Sequence, residues 1–376
     1  MKVALLMPSA LNGGVQRIMI NLSKGFLNYG YDVDFLIADA TGEMLNNIPK
    51  NCNIIDFKKI KLRGDLKVLF SLRNIKKYIK QNPNICVISA PGLSGTVLSY
   101  LKKKKYVFNS IVMVDNKISL LKDGTLYHIL VYYLNKHLFC YSNFIVPAHE
   151  NAKKDLINNY KLLEHNVRRI YHPIIDEGVL LEQNPELNHR FFDLKKRGYK
   201  ILISIGRLVP EKDFENLIQA FSMVKKKNKV KLIILGDGPL KDELENYANL
   251  LNCDDDIDFY GYTSNVYEFI KKSDALILSS KQEAFGNVLI EAMANGIPVV
   301  TTDCQSGGPR EIMMNEKSNL FGDICPCENS KALANSIDKV INNIYDINLL
   351  KERSKEFTID FSTREYLHLI KELYDE

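Results

Sequence analysis

Two glutamates flank a predicted helix start in the segment EAFGNVLIE, which runs from Glu283 to Glu291. The pattern predicts that the helix begins at Gly286, where the first amides lack an intrahelical acceptor and carry the positive end of the helix dipole. Such a site suits a diphosphate, and the flanking carboxylates suit sugar and ribose hydroxyls. The spacing is also compatible with a loop glutamate and a solvated helix glutamate. The amides concerned belong to Phe285, Gly286, Asn287 and Val288.

Two cations follow the strand-like run KILISIG (200–206). Arg207 and Lys212 lie in the segment GRLVPEKD, which begins at Gly206, so we expect both side chains at the carboxyl end of that strand. Fixed cations there would neutralise a departing diphosphate, and each charge-assisted hydrogen bond contributes about 1.5–3 kcal/mol. The alternative is a pair of basic surface residues at an ordinary turn between a strand and a helix.

A glycine pair, Gly13 and Gly14, follows the first apolar run and opens a predicted helix. Because these residues lack side chains, backbone amides there could approach a phosphate closely, although a lone glycine pair is a weak signal. Neither this segment nor Gly236-Asp-Gly238 has the G-x-G-x-x-G pattern of dinucleotide-binding loops. That absence disfavours a nicotinamide dehydrogenase or a sugar-nucleotide epimerase.

The elements that position these residues are short β-branched runs alternating with longer amphipathic stretches, a pattern typical of parallel sheets covered by helices. We predict an α/β protein with two Rossmann-like, doubly wound parallel-sheet domains that face each other across a cleft, with ligand sites at the carboxyl ends of the strands. The predicted strands are 3–7, 33–38, 85–89, 110–114 and 144–148, then 200–206, 230–236, 256–261, 275–280 and 298–302. The predicted helices are 15–29, 66–81, 94–105, 213–227, 238–251, 264–272 and 287–295.

The boundary between the two domains is predicted within residues 170–199, which carry prolines and show little periodicity. The expected N-terminal domain covers residues 1–175, and the expected C-terminal domain covers residues 176–359. A helix at about residues 360–376 is expected to pack back on the first domain.

Five segments in combination resemble one enzyme family. They are GGVQR (13–17), GRLVPEKDFENLIQAF (206–221), LGDGPLKDELE (235–245), EAFGNVLIEAMANGIPVVTT (283–302) and GGPREI (307–312). The chain resembles the retaining GT-B glycosyltransferases of family four, many of which build bacterial surface polysaccharides. The segments cover nearly all of the second domain and the opening of the first. The rest of the first domain matches only in the order of its helices and strands. The resemblance implies that the first domain binds the acceptor and the second binds the nucleotide sugar.

The resemblance implies a role for each candidate residue. Gly13 and Gly14 would approach the donor diphosphate, and Arg207 and Lys212 would bind its phosphates beside Gly206. Glu283 would contact the donor sugar. The resemblance also implies that Phe285 to Val288 offer amides, Glu291 holds the ribose hydroxyls, and Tyr262 lines the nucleobase. Many relatives carry a histidine where this chain has Asp115, which we place in the site, with a loop-capping aspartate as the alternative.

The resemblance further implies retention by front-face attack, in which the departing phosphate oxygen helps to deprotonate the acceptor. The expected donor is a nucleotide sugar, UDP-linked rather than GDP-linked, and the expected acceptor is a glycan or a polyprenyl-linked glycan. No metal or other cofactor is expected, because the D-x-D-like segments at Asp32 and Asp254 suit a turn before a strand and an acidic loop. The alternative function is a non-catalytic subunit of the same fold that binds a nucleotide sugar.

The charge distribution bears on the partners of the protein. The net charge of +5 conceals an asymmetry, because residues 1–185 contain 25 Lys and Arg against 14 Asp and Glu. Basic stretches at 58–63, 65–81 and 102–105 suit the surface of an anionic membrane. The alternative is a solvated helix packed by Leu66, Leu69, Phe70, the stem of Arg73, and Ile79. No nucleic-acid-binding motif accompanies the charge.

The cellular location is predicted from cysteine usage and hydropathy. The seven cysteines are scattered and suit free thiols in a reducing cytoplasm. The apolar runs are too short to span a bilayer, and the N-terminus suits a strand and glycine loop rather than an export signal. We therefore expect a cytoplasmic protein, peripheral on the inner face of the cell membrane, that takes a lipid-linked acceptor.

Overall fold

Two compact units make up the fold in the computed structural model, which describes residues 1–11, 13–57, 64–181, 187–314 and 321–375. Unit 1 comprises Met1–Asp176 and Phe357–Glu376, and unit 2 comprises Glu177–Glu356. The basic residues 58–63 discussed above lie outside the described residues.

Unit 1 contains a six-stranded parallel sheet among its described residues. The strands are β1 (Lys2–Ser9), β2 (Asp32–Asp39), β3 (Asn53–Asp56), β4 (Cys86–Ser89), β5 (Asn109–Val114) and β6 (Phe144–Pro147). Their order in the sheet is β3-β2-β1-β4-β5-β6. The central strands are buried on both faces, as expected for a parallel sheet between two layers of helices. The helices are α1 (Gly14–Asn28), α2 (Leu66–Phe70), α3 (Leu72–Gln81), α4 (Leu93–Lys103), α5 (Leu126–Leu138) and α6 (Glu150–Asn158).

Unit 2 repeats this plan with its own six-stranded parallel sheet. The strands are β7 (Lys200–Ile205), β8 (Val230–Leu235), β9 (Ile257–Gly261), β10 (Ala275–Leu278), β11 (Val299–Thr302) and β12 (Gly322–Cys325). Their order is β12-β11-β10-β7-β8-β9. The helices are α7 (Glu177–Leu181), α8 (Phe214–Val224), α9 (Lys241–Leu250), α10 (Val266–Lys272), α11 (Asn287–Ala294), α12 (Gly308–Met313), α13 (Ser330–Asn342) and α14 (Ile347–Ser354).

The final helix, α15 (Ile359–Asp375), belongs to unit 1 and packs against α1. The hydroxyl of Tyr29, just after α1, donates to Asp360 at 2.7 Å. Further along α15, Glu372 lies 3.6 Å from Arg168. Within the described ranges, every helix is too short or too polar to cross a lipid bilayer.

The strand order of each sheet reverses direction at one place, between β1 and β4 in unit 1 and between β7 and β10 in unit 2. In doubly wound sheets, ligands bind in the crevice that such a reversal opens at the carboxyl ends of the strands. The fold class predicted from the sequence, two doubly wound parallel sheets in tandem, is confirmed. Two strands, β3 and β12, were not predicted, and the predicted helix 66–81 is broken at Ser71 into α2 and α3.

Candidate active site

The loops that follow β7 and β10 meet at the reversal point of the unit 2 sheet. The first loop carries Gly206, Arg207 and Lys212, and the second runs from Ser279 to Gly286. The amide of Lys281 donates to the carbonyl of Glu211 at 2.9 Å, and the hydroxyl of Ser279 donates to the carbonyl of Lys212, also at 2.9 Å. These hydrogen bonds fix the two loops to each other, so their side chains are held in place before a ligand arrives.

Lys212 and Glu283 form an ion pair between these two loops. Both side chains are largely shielded from water, which strengthens their attraction relative to a surface pair. The hydroxyl of Ser280 adds a contact to the Glu283 carboxylate at 3.4 Å. Arg207 is exposed and has no salt-bridge partner among the described residues. The loop therefore presents one engaged cation and one available cation.

Gly236 allows the loops after β7 and β8 to pass each other. Its φ is +140°, and a Cβ atom at this position would lie 1.9 Å from the carbonyl oxygen of Gly206. Only glycine tolerates both that dihedral angle and that approach. A side chain at Gly206 would in turn meet the aliphatic stem of Lys212 at 3.5 Å. The LGDG segment thus fixes the course of the cation-bearing loop.

The predicted helix start after β10 is present, because α11 begins at Asn287 with Gly286 as its N-cap at φ +104°. The first amides of α11, including those of Asn287 and Val288, have no intrahelical acceptor, and no side chain caps them. Phe285 is buried beneath the loop, and the hydroxyl of Ser306 donates to the carbonyl of Glu283. The loop after β11 is therefore hydrogen-bonded to the segment that leads into α11.

Two other candidates in unit 2 differ in exposure. Glu291, in the second turn of α11, is only 3% exposed, so its carboxylate is shielded from water. Tyr262 is exposed and follows β9, the edge strand of the sheet. The amide of Gly236 donates to the carbonyl of Gly261 at 2.9 Å, which ties this edge to the loop after β8. All the candidates of unit 2 thus follow the carboxyl ends of neighbouring strands or lie in the first two turns of α11.

In unit 1, Gly13 and Gly14 lie at the start of α1, after β1. Gly13 has an extended backbone, with φ −179°, and a Cβ atom there would meet only the flexible end of Gln16. No side chain caps α1, so its first amides are open. The glycine pair therefore leaves room beside open amides, but the backbone geometry of Gly13 does not itself require glycine.

Asp115 follows β5 and lies beside two histidines that the sequence analysis did not bring together. Its Oδ1 atom is 2.9 Å from Nε2 of His172, a buried residue in the segment YHPI. Burial lowers the pKa of His149 to about 4, with His172 and Lys117 adding to the decrease and Asp115 opposing it. His149 is the N-cap of α6, and its Nδ1 accepts from the amide of Ala152 at 3.2 Å. The sequence carried no local signal for His172, since its contact with Asp115 joins distant parts of the chain.

The two D-x-D-like segments are engaged in other contacts. Asp34, in β2, accepts a hydrogen bond of 2.6 Å from the hydroxyl of Tyr78 and one of 2.9 Å from Asn53. Asp256 pairs with Lys225 and Lys231. Protein donors therefore already engage one carboxylate of each segment. That no metal takes part stays a prediction.

Part of the chain matches a known family. Residues 186–357, just under half of the chain, match the family described as glycosyl transferases group 1. An uncharacterized glycosyltransferase of Methanocaldococcus jannaschii, MJ1059, is 33% identical over 205 residues, which span 54% of this chain and 49% of that relative. The N-acetylgalactosamine-N,N'-diacetylbacillosaminyl-diphospho-undecaprenol 4-alpha-N-acetylgalactosaminyltransferase of Campylobacter jejuni is 25% identical over 374 residues, covering 95% of both chains.

Solved structures share the fold over the full length. The lipopolysaccharide outer core galactosyltransferase WaaB, in its apo form, has a TM-score of 0.75 at 19% identity and covers 99% of both chains. Alr3699/HepE of Anabaena, in complex with UDP and glucose, has a TM-score of 0.78 at 17% identity, again over 99% of both chains. Residues 186–357 therefore match the group 1 glycosyl transferases, and the chain has the GT-B fold of these solved structures.

Proposed function

We propose that this glycosyltransferase moves a hexose or N-acetylhexosamine from a UDP-sugar to a glycan or lipid-linked acceptor in surface polysaccharide biosynthesis, with retention of configuration. The observation that carries the proposal is the Lys212–Glu283 ion pair beside the start of α11, at the reversal point of the unit 2 sheet. A cation, a carboxylate and open amides together match the parts of a nucleotide sugar: diphosphate and sugar hydroxyls.

Donor binding would replace the Lys212–Glu283 ion pair by contacts to the donor without leaving either charge unpaired. A phosphate of the donor would accept from Lys212, Arg207 and the first amides of α11, and a sugar hydroxyl would donate to Glu283. Because both members of the shielded ion pair gain new partners, the exchange avoids the cost of an isolated buried charge. Glu291 is proposed to reach the ribose and Tyr262 the nucleobase. In unit 1, Gly13, Gly14 and Asp115 remain proposed donor contacts.

The proposed reaction proceeds on one face of the sugar. The bond between C1 and the phosphate oxygen breaks, the acceptor oxygen bonds to C1 from the same side, and the acceptor proton passes to the departing phosphate oxygen. A double displacement needs a second carboxylate as nucleophile close to the first, and the loops beside Glu283 place Lys212, Ser280 and Ser306 there instead. The chain's main contribution is then electrostatic stabilisation of the leaving diphosphate.

The donor and acceptor classes draw support from similar proteins. HepE binds UDP and glucose in its crystal, which supports a UDP-linked donor. The Campylobacter jejuni relative acts on a diphospho-undecaprenol-linked glycan, which supports a lipid-linked acceptor. A lipid-linked acceptor places the enzyme at a membrane, and we propose that the basic first half of the chain holds it at the anionic inner face.

The test is a screen of UDP- and GDP-sugars by thermal shift, followed by donor hydrolysis with the wild type, Arg207→Ala and the matched control Lys271→Ala. Lys271 lies on α10 and pairs with Glu268. We expect Arg207→Ala to lower turnover roughly 10²–10³-fold, as for the loss of one preorganised charge donor, while Lys271→Ala leaves it unchanged. Equal turnover for both variants would remove Arg207 from the mechanism. Binding without any hydrolysis or transfer would indicate the non-catalytic subunit instead.

A further inference from the structure

Helix α5 is apolar on both its faces. Val131, Tyr132 and Leu138 face the interior of unit 1, and the opposite face carries Leu126, Leu130, Tyr133 and Leu134. Of these, Leu126 is 83% exposed, Leu130 58% and Tyr133 52%. By contrast, the outer face of α13 carries Lys331, Asn335 and Lys339, as expected for a helix in contact with water. An apolar outer face needs a partner that covers it.

Helix α2 extends this apolar surface. Leu66, Leu69 and Phe70 are exposed. Of the four apolar residues that the sequence analysis offered as the packing of a solvated helix, only Ile79, in the next helix, is buried. Both α2 and α5 contact α4. Burial and the nearby charge of Asp65, which precedes α2, raise the pKa of Tyr127 in the first turn of α5.

Lysines flank the apolar face of α5. Lys122 precedes the helix, Lys136 lies in its last turn, and the Nζ atom of Lys103 is 5.3 Å from the ring centre of Tyr141, just after it. Lys104 and Lys105 are exposed next to Lys103. Among the described residues, these five lysines have no acidic partner within salt-bridge distance. Their charge is therefore available to anions outside the protein.

We infer that the outer face of α5, together with the exposed side chains of α2, inserts into the surface of an anionic lipid bilayer. An apolar row flanked by cations fits the boundary between lipid head groups and acyl chains, where each part finds its own partner. The inference rests on the proposed function, in which the enzyme acts at a membrane, and it specifies the surface that contacts the lipid. The chain passes from Asp115, after β5, through the 3-10 helix Ile118–Asp123 into α5, and this 3-10 helix contacts α5.

A single-tryptophan reporter gives a direct test, because the wild-type chain contains no tryptophan. Leu130→Trp would place the reporter in the proposed surface, and Leu250→Trp would place it at an exposed apolar site of unit 2. With vesicles of phosphatidylcholine and phosphatidylglycerol, we expect a blue shift of the emission for Leu130→Trp and none for Leu250→Trp. The absence of a shift for Leu130→Trp, or an equal shift for both, would overturn the inference.

Co-sedimentation with the same vesicles measures how much the leucines and lysines of this surface contribute to vesicle binding. We expect the double variant Leu126→Ser/Leu130→Ser to bind roughly 10–100-fold more weakly than wild type, since it loses two buried leucines, and Leu250→Ser to bind like wild type. Replacing Lys103, Lys104 and Lys105 by Gln should reduce binding to anionic vesicles at low salt. Undiminished vesicle binding by the double variant would contradict the inference. So would a wild-type protein that self-associates through this face as its concentration rises and does not sediment with vesicles.

Donor hydrolysis without vesicles separates this inference from the proposed function. The double variant should hydrolyse the donor like wild type, because its changes lie in unit 1 outside the donor loops of unit 2. A wild-type chain that binds vesicles but turns over no donor would leave the insertion surface standing and refute the proposed activity. A chain that turns over donor but binds no vesicles would refute the insertion surface alone.

Discussion

Replacing His149 by asparagine should make the protein less sensitive to acid. His149 is buried and caps α6, and its Nδ1 accepts the amide of Ala152 at 3.2 Å. Protonation would both place a charge in the interior and remove that acceptor. Asparagine is a favoured N-cap residue, so it keeps an oxygen acceptor at the same position but does not titrate. The variant therefore removes the proton-binding site and preserves the cap.

The size of the effect follows from the pKa. Burial lowers the pKa of His149 from its ordinary 6.5 to about 4, with His172 and Lys117 adding to the decrease and Asp115 opposing it. Between these values the unfolded chain binds more protons than the folded chain, so the stabilising contribution is complete above about pH 6.5 and is lost as the pH falls towards 4. The loss amounts to roughly 2 kcal/mol by about pH 5 and roughly 3 kcal/mol in total.

Thermal unfolding followed by circular dichroism at about pH 7.5 and about pH 5 measures this loss. For a unit of about 200 residues, roughly 2 kcal/mol corresponds to about 4–8 °C in the unfolding midpoint. His149→Asn should lose about that much less than wild type on acidification, and the exposed control His165→Asn should behave like wild type. If His149→Asn and wild type lost the same amount, the attribution of acid sensitivity to His149 would be incorrect.

Two further predictions concern unit 2 and the thiols. Gly236→Ala should destabilise the protein in urea unfolding by at least about 2 kcal/mol more than the control Gly198→Ala, and it should weaken UDP binding. Both glycines have a positive φ, but of the two only Gly236 would place a Cβ atom against a carbonyl. Iodoacetamide should modify the exposed Cys140 well before Cys304, since Cys304 is buried and burial raises its pKa to about 12; equal rates, read by mass spectrometry, would contradict this.

The strands that bear the candidate donor residues were predictable because parallel strands are short and apolar. The runs KILISIG and ALILSS contain β7 and β10. The two strands that the sequence analysis missed, β3 and β12, read NIID and GDIC. Asp, Asn and Gly disfavour strands, and these two strands form only because a neighbouring strand offers them a parallel edge.

The candidate site residues also divide into those that the sequence predicted and those that it did not. Local patterns predicted the start of α11 at Gly286 and the loop that carries Arg207 and Lys212, because each depends on a few consecutive residues. Contacts between distant segments were beyond such patterns. The pairing of Asp115 with His172 and the depth at which Glu291 is buried both arise from the packing of several elements. Their roles in the reaction stay predictions.

The placement of α15 in unit 1 has a consequence for how the chain folds. Unit 2 is one continuous segment, Glu177–Glu356, whereas unit 1 is completed only by the residues that follow it. On the ribosome, unit 2 therefore has its whole sequence available before unit 1 does, which reverses the usual order in which the N-terminal body finishes first. Until α15 emerges, the side of α1 that it covers stays exposed to water.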